Sequence, residues 1–403
     1  MGPALSVLYV SYDGALDALG GSQVVPYLLG LAKLGFRVTL ISFEKPERWR
    51  QDTLRKDMQA RLDACSIRWR PVRYNKRPRL PATLWDVALG SRIIASEARR
   101  SKPAIVHCRG DVAMVMARWA GLSRGTRLLY DVRGFFSDER VETGSWRRGS
   151  VLDLAVRRME LANLQRADGA VALTHRAAET LRLRRPSLPC IRVIPTCADV
   201  SVFRPLPPGQ KADFGLVYSG SLGTWYMGDE MRAFSRSAAA AVPGRTLFLT
   251  PELDAARRLG PTADWAEIRS VEPGGVAEWL RRARALFFFI RPIPSKRASC
   301  PTKFAEGLAS GLPVVCNRGI GDLDDVVEQE RVGVLVDDFS ESAYLTSAQR
   351  LGHLLEDPGL SGRCRRLAET RYSVELGVDA YRHVYDKLTA AATLSNCDRA
   401  GAA

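Results

Sequence analysis

Histidine is scarce in this chain, with four among 403 residues, and its eight cysteines never fall in a C-x-x-C pair. Those shortages exclude a zinc site of the usual ligand spacing and give no disulfide framework, so the thiols read as core filler in a reducing compartment. Long apolar runs are missing as well. The longest, "ARALFFFI" at 283–290, falls far short of the roughly 20 residues that cross a bilayer. No basic segment precedes the apolar start "MGPALSVLYVSY", which alternates like a strand instead of reading as a signal peptide. Helix-turn-helix, zinc-finger and RNP-type patterns are absent, so nucleic acid is not expected as a partner. A cytoplasmic globular chain is expected, 46% apolar and 26% charged, long enough for two or three domains.

What is present is an uneven charge. Residues 1–200 hold 34 Lys and Arg against 19 Asp and Glu, an excess of 15, whereas residues 201–403 hold 25 of each. The excess is densest in "RWRPVRYNKRPR" (68–79), with six basic residues around Trp69 and Tyr74. The segment reads either as a solvated loop or as a surface that meets phosphates or the inner face of an anionic membrane, where each basic residue contributes about 1 kcal/mol.

Two stretches about 200 residues apart follow one plan. Strand "VLYVSY" (7–12) leads through a glycine loop, "LGGSQ" (19–23), to a helix beginning near Ser22 and ended by Gly35, then to strand "FRVTLIS" (36–42). Strand "FGLVYSG" (214–220) leads through "SLGTWY" to helix "MGDEMRAFSRSAAAAV" and strand "RTLFLT" (245–250). Each is a βαβ unit whose loop opens on a helix N-terminus, where phosphates bind, although neither spells G-x-G-x-x-G. Seven further apolar runs alternate with helical segments, from "AIVHC" (104–108) to "VGVLV" (332–336). This alternation predicts an α/β chain of two doubly wound parallel-sheet domains, 1–200 and 201–403. They join at the proline-rich "IPTCADVSVFRPLPPG" (194–209), and a final helix over about 372–390 crosses back to the first domain. Ligands are expected beyond the carboxyl ends of the strands, in a cleft shared by the two domains.

The most informative short stretch is "CPTKFAEGLASGLPVV" (300–315). Thr302 is placed to cap a helix, Gly311 to end it and Pro313 to prevent its continuation into the strand that follows. Lys303 and Glu306 then share one face of the first turns. They form either an ordinary i,i+3 ion pair, worth about 0.2–0.5 kcal/mol, or a paired cation and carboxylate offered to a ligand.

Taken in order, "GGSQVVPYLLGLAKLGFRVTLIS", "VIPTCADVSVFRP", "PTKFAEGLASGLPVV" and "GVLV" resemble the blocks of GT-B-fold glycosyltransferases of retaining family 4. "YDVRGFFSDERVETGSW" (130–146) and "GSLGTWYMGDEM" (220–231) are similar to blocks of a subgroup, and the resemblance spans roughly 5–390. It implies a GT-B fold of two Rossmann-like domains, with a nucleotide-sugar donor held by the second and an acceptor by the first. It also implies front-face transfer with retention, without a metal or other cofactor. That agrees with the lack of a D-x-D motif in a suitable strand-end context. In this reading Glu306 accepts the two ribose hydroxyls and Lys303 neutralises the diphosphate. Gly20, Gly21 and Ser22 approach the same diphosphate and sugar, as do Gly220 and Ser221.

The chain also departs from the family. The glutamate usual eight positions before the ribose-binding one is Ala298 here, which leaves Ser299 and the Cys300–Thr302 amides for the sugar. The basic pair usual after the second glycine loop is missing, so Arg291, or Lys296 with Arg297, stands in for it. On the acceptor side, Asp131 orients the acceptor hydroxyl or takes its proton, or else caps a turn, with Arg133 against phosphate. The loop at Asp138–Arg140 closes on the acceptor. His107 touches the donor sugar or is a satisfied structural imidazole. An anionic acceptor such as a lipid-linked glycan precursor matches the basic first half. The rival readings are a nucleotide-sugar epimerase of the same fold and a degenerate, non-catalytic binding protein.

Overall fold

The strands form two parallel sheets. In the first the order is β3-β2-β1-β4-β5-β6-β7, where β1 is Ser6–Ser11, β2 Arg37–Glu44, β3 Arg68–Arg73, β4 Ile105–Arg109, β5 Arg127–Val132, β6 Gly169–Ala172 and β7 Ile191–Val193. The second has order β10-β9-β8-β11-β12-β13, with β8 Phe214–Ser219, β9 Arg245–Leu249, β10 Ala266–Arg269, β11 Ala283–Phe288, β12 Val314–Asn317 and β13 Gly333–Val336. This computed structural model describes residues 5–75, 77–223, 225–258 and 264–400, with the side chains of Arg79 and of 391–400 left aside. The chain divides into two units, Met1–Ile194 with Gly377–Ala403, and Pro195–Leu376. Pro195–Val200 goes with the second unit because Thr196 Oγ1 donates to the Cys300 carbonyl (2.7 Å) and Ala198 exchanges backbone bonds with Tyr372 and Val374.

In each sheet the chain builds outward from the first strand to one edge, then restarts beside it and builds to the other. The reversal points lie between β1 and β4, and between β8 and β11. Adjacent strands whose connections leave in opposite directions open a crevice at their carboxyl ends, where ligands bind in such sheets. The β11 run is a core strand. Phe287, Phe288 and Phe289 are fully buried with Tyr218, Phe234 and Phe248, each such ring contributing about 1.5–3 kcal/mol. Cys108, Cys190, Cys197, Cys316 and Cys364 are buried thiols outside any disulfide, while Cys397 lies outside the described side chains.

Several local expectations are corrected. The "LGGSQ" segment is the short helix Ala18–Gln23, broken at Val24 (φ −123°, ψ −61°) before a second helix, Val25–Lys33. Pro26, lacking an N–H, sits at the start of that second helix, where no bond is required of it. Ser22 therefore lies inside a helix, its hydroxyl donating to the Ala18 carbonyl, and is not a cap. Thr302 is likewise the first residue of Thr302–Ala309, with Pro301 at the cap position and no side-chain cap bond. The basic stretch at 68–79 begins as edge strand β3, in which Arg68 and Arg70 pair with Glu97 at 3.2 and 3.1 Å. Trp69 is buried and donates to Ser42 Oγ. Two of the six basic residues thus share one carboxylate, which offsets one of their two charges, and Lys76 lies outside the described residues.

Candidate functional site

In the second unit, the loops after β8 and β11 and the helix Thr302–Ala309 meet at the reversal point. Gly220 leaves β8 at φ +130°, a conformation that side-chain-bearing residues rarely adopt, and a Cβ there would stand 3.0 Å from Lys303 Nζ. This glycine lets the lysine run under the loop. The ammonium ends 3.3 Å from the Tyr226 ring centroid and 4.4 Å from that of Tyr218, and Nζ donates to the Tyr218 hydroxyl at 3.4 Å. Tyr218 is anchored in turn by donating to the Ser221 carbonyl. A second lysine repeats the arrangement, with Lys296 Nζ 3.4 Å from the centroid of Trp225, next to Tyr226 in the chain. Where the family has a basic pair, this loop has two adjacent aromatics, each facing a lysine from another element.

Lys303 and Glu306 form no ion pair within 4.0 Å, and the Glu306 carboxylate has no hydrogen bond among the described residues. The i,i+3 ion-pair alternative is therefore not what the geometry shows. Burial holds the Lys303 ammonium well below its ordinary range, opposed by Glu306. Burial also pushes the half-buried Glu306 carboxyl up to about 7, opposed by Lys303. Both groups are held toward neutrality in a place where a ligand's charge and hydroxyls would favour their ions.

Beside them lies a cavity of about 710 Å³ lined by Ser221, Trp225, Tyr226, Glu252, Arg257 and Arg258, among others. Ser299 is half-buried, its amide donating to the Lys296 carbonyl. Arg291 is exposed and its amide donates to the Trp225 carbonyl, but no contact joins its guanidinium to Lys303. Among the described residues, no group of three His, Cys, Asp or Glu side chains is placed to hold a metal ion.

The first unit has its own buried constellation. Strand register aligns Tyr9 with His107, and Ser11 with Arg109 and Asp131, so His107, Arg109 and Asp131 share one face of the sheet. Asp131, fully buried, accepts from Tyr381 (3.2 Å). It lies 3.3 Å from Arg133, 3.7 Å from Arg109 and 3.6 Å from His107 Nε2. Burial opposes its ionisation, but Arg133, His107 and Arg109 outweigh that and hold the carboxyl far below the usual carboxylate range. A carboxylate so stabilised is a poor base, and it is neither exposed nor a turn cap, so the expectation that Asp131 takes a proton is corrected.

His107 is equally buried, bonded through Nδ1 to the Tyr385 hydroxyl (2.7 Å) and packed between Tyr9 and Tyr381. Burial lowers its pKa despite the neighbouring Asp131; Tyr385 satisfies Nδ1, while the buried Nε2, 3.6 Å from Asp131, makes no hydrogen bond among the described residues. Asp138 pairs with Arg157, and Arg140 lies over the Phe136 ring, within the helix Phe136–Glu142 and not in an open loop.

The first glycine segment is held from below. Glu44, buried at the end of β2, accepts from the amides of Ala15 (2.8 Å) and Leu16 (3.1 Å). A Cβ on Gly20 would meet the Gly14 carbonyl at 1.9 Å, so this glycine serves a close backbone approach, whereas one on Gly21 would make only an ordinary 3.9 Å contact with the Ala15 carbonyl oxygen. Glu44, Trp225, Tyr226 and the tyrosines of the last helix were not picked out from sequence.

Residues 20–202 match the profile of Glycosyltransferase Family 4. The match takes in just under half of the chain and supports a glycosyltransferase. Across both units the glycosyltransferase is similar to sucrose-phosphate synthase from Thermosynechococcus elongatus, at 17% identity over 96% of this chain and 100% of that one (TM-score 0.67). It is similar to Anabaena HepE, solved in complex with UDP and glucose, at 13% identity over 95% and 99% (TM-score 0.64). A putative UDP-N-acetylglucosamine 2-epimerase from Listeria monocytogenes shares 15% identity over 93% and 94% (TM-score 0.58). At these identities the likeness shows the GT-B fold. Among curated proteins none matches the sequence significantly.

Proposed function

We propose that this glycosyltransferase takes its sugar from a nucleoside-diphosphate donor bound in the second unit. The observation that carries the reading is the unpaired placement of Lys303 and Glu306, one helical turn apart at the reversal point. An ionised carboxylate is acceptor-only and suits a vicinal diol, so Glu306 holds the two ribose hydroxyls. Lys303 is a compact charge that stabilises the departing diphosphate, and its desolvated position makes that attraction stronger than it would be in water. Lys296, held on Trp225, supplies the second cation that the β8 loop lacks, while Gly220 and Ser221 bring backbone close to the phosphates. That HepE, a structure of similar fold, was solved with UDP supports a nucleotide ligand for this fold.

The first unit carries the acceptor, and its charge excess favours an anionic one such as a lipid-linked glycan precursor. Asp131 acts there as a positioning residue that fixes Arg133 and Arg109. As the resemblance to retaining family 4 implies, the acceptor's proton passes to the leaving diphosphate by the front-face route that retains configuration. No metal or other cofactor enters this scheme.

A thermal-shift panel of UDP, ADP, GDP and CDP tests the donor reading, because a ligand at about 100 times its Kd adds roughly 2.7 kcal/mol to the unit that binds it. No shift with any of them removes the proposal. The epimerase reading, favoured by the Listeria neighbour, predicts conversion of a UDP-sugar to its epimer without acceptor. It lacks support from the second unit, where Glu306 stands without a partner acid on its helix.

A further inference from the structure

The helix Val151–Arg166 is turned inside out. Its inward face carries Asp153, Glu160 and Asn163, all buried, while Val151 (83% exposed), Leu152, Leu154 and Leu161 face water. The inward polar groups are fully engaged. Asp153 accepts from Ser137 and Arg157, Glu160 from the Ser137 amide, and Asn163 bonds both Arg118 and the Asp111 carbonyl. The helix therefore cannot rotate its apolar side inward without leaving buried charges unpaired.

Charge along this stretch is equally one-sided. Within residues 143–166 the only acids are Asp153 and Glu160, both buried, so every exposed charge is an arginine: Arg147, Arg148, Arg158 and Arg166. A second helix, Arg79–Ser101, packs against Gly110–Trp119, which in turn packs against Val151–Arg166. Its first turns expose Leu80, Leu84 and Trp85 (62%), with Arg77 beside them. Arg79–Ser101 leads into β4 and Val151–Arg166 into β6, strands of one parallel sheet, so both helices begin toward its carboxyl end.

Exposed aliphatic and indole side chains set among arginines fit the boundary between headgroups and acyl chains of an anionic bilayer, with guanidinium groups on lipid phosphates. We propose that this glycosyltransferase docks on an anionic lipid bilayer through the starts of the helices Val151–Arg166 and Arg79–Ser101. The proposal is independent of the nucleotide reading, since none of these residues touches the Lys303 site.

The test is vesicle sedimentation with phosphatidylcholine alone and with phosphatidylcholine mixed with phosphatidylglycerol, at low and high salt. The wild-type chain should sediment with the mixed vesicles only, and less at high salt. Val151→Ser/Leu154→Ser and Arg147→Glu/Arg148→Glu should each weaken partitioning about tenfold or more. All the substituted side chains are exposed, and an unchanged melting profile and unchanged UDP shift show that the variants fold. Failure of the wild-type chain to bind mixed vesicles, or undiminished binding by both variants, overturns the proposal. Light scattering that shows a dimer made monomeric by Val151→Ser/Leu154→Ser assigns the face to a second copy and overturns it equally.

Discussion

Replacing Glu306 with glutamine should move stability and ligand affinity in opposite directions. The carboxyl is pushed from an ordinary 4.5 to about 7, chiefly by burial. A raised carboxyl means that the folded protein keeps a proton which the unfolded chain releases above pH 4.5, so stability falls as pH rises toward 7 and the loss is complete above it. At 1.36 kcal/mol per pH unit the penalty is on the order of 3 kcal/mol, or about 2 after allowance for partial exposure to water. Glu306→Gln should thus leave unfolding nearly unchanged near pH 4 and stabilise the second unit by roughly 2 kcal/mol at pH 8, read from its thermal or urea transition. Charge-assisted bonds to the ribose hydroxyls are lost in the same variant, weakening UDP by about 1.5–3 kcal/mol, or ten- to a hundredfold by calorimetry. A variant less stable at pH 8, with UDP affinity intact, would show Glu306 to be a structural partner and refute the reasoning.

Three other substitutions bear on the same account. Lys303→Met removes a buried ammonium whose pKa is lowered by burial. Its penalty is present below the folded pKa and vanishes above the unfolded one, so the variant should melt higher at pH 7 and bind UDP about thirtyfold or more weakly by calorimetry. Tyr226→Leu takes away the ring 3.3 Å from that ammonium and should weaken UDP about tenfold, whereas Tyr226→Phe keeps the ring face and the affinity. Asp131→Asn leaves Arg133 without its carboxylate and Arg109 with Asp13 alone, and should cost about 3 kcal/mol at pH 7 in urea unfolding. Because the Asp131 carboxyl is lowered by those partners, the difference from wild type should shrink as pH falls below about 4.

Much of the fold was legible because strands in a doubly wound sheet are buried on both faces and read as apolar runs. Arg127–Val132 and Phe214–Ser219 stand nearly where the runs "RLLYDV" and "FGLVYSG" place them. Two of the four edge strands were not legible, although β7 and β13 were. β3 alternates arginine with Trp69 and Val72 around Pro71, and β10 is only four residues long, so neither offers an apolar run. In the candidate site, Lys303 and Glu306 were visible from helix periodicity. The aromatic rings of Trp225 and Tyr226 were not, since cation–ring contacts join segments some 70 residues apart and leave no local pattern. The burial of His107 and Asp131 beneath Tyr381 and Tyr385 depends on a helix some 250 residues away, which no motif near "YDVRG" announces.

The most direct measurement is a thermodynamic cycle that pairs removal of the ribose hydroxyls with removal of the carboxylate. Wild type and Glu306→Ala are each titrated by calorimetry with UDP and with 2′,3′-dideoxy-UDP. The account predicts that losing the hydroxyls weakens binding at least about tenfold in the wild type and has little further effect in the variant, a coupling of about 1–3 kcal/mol. Equal losses in both proteins would contradict it, because the carboxylate would then not be the group that holds the ribose.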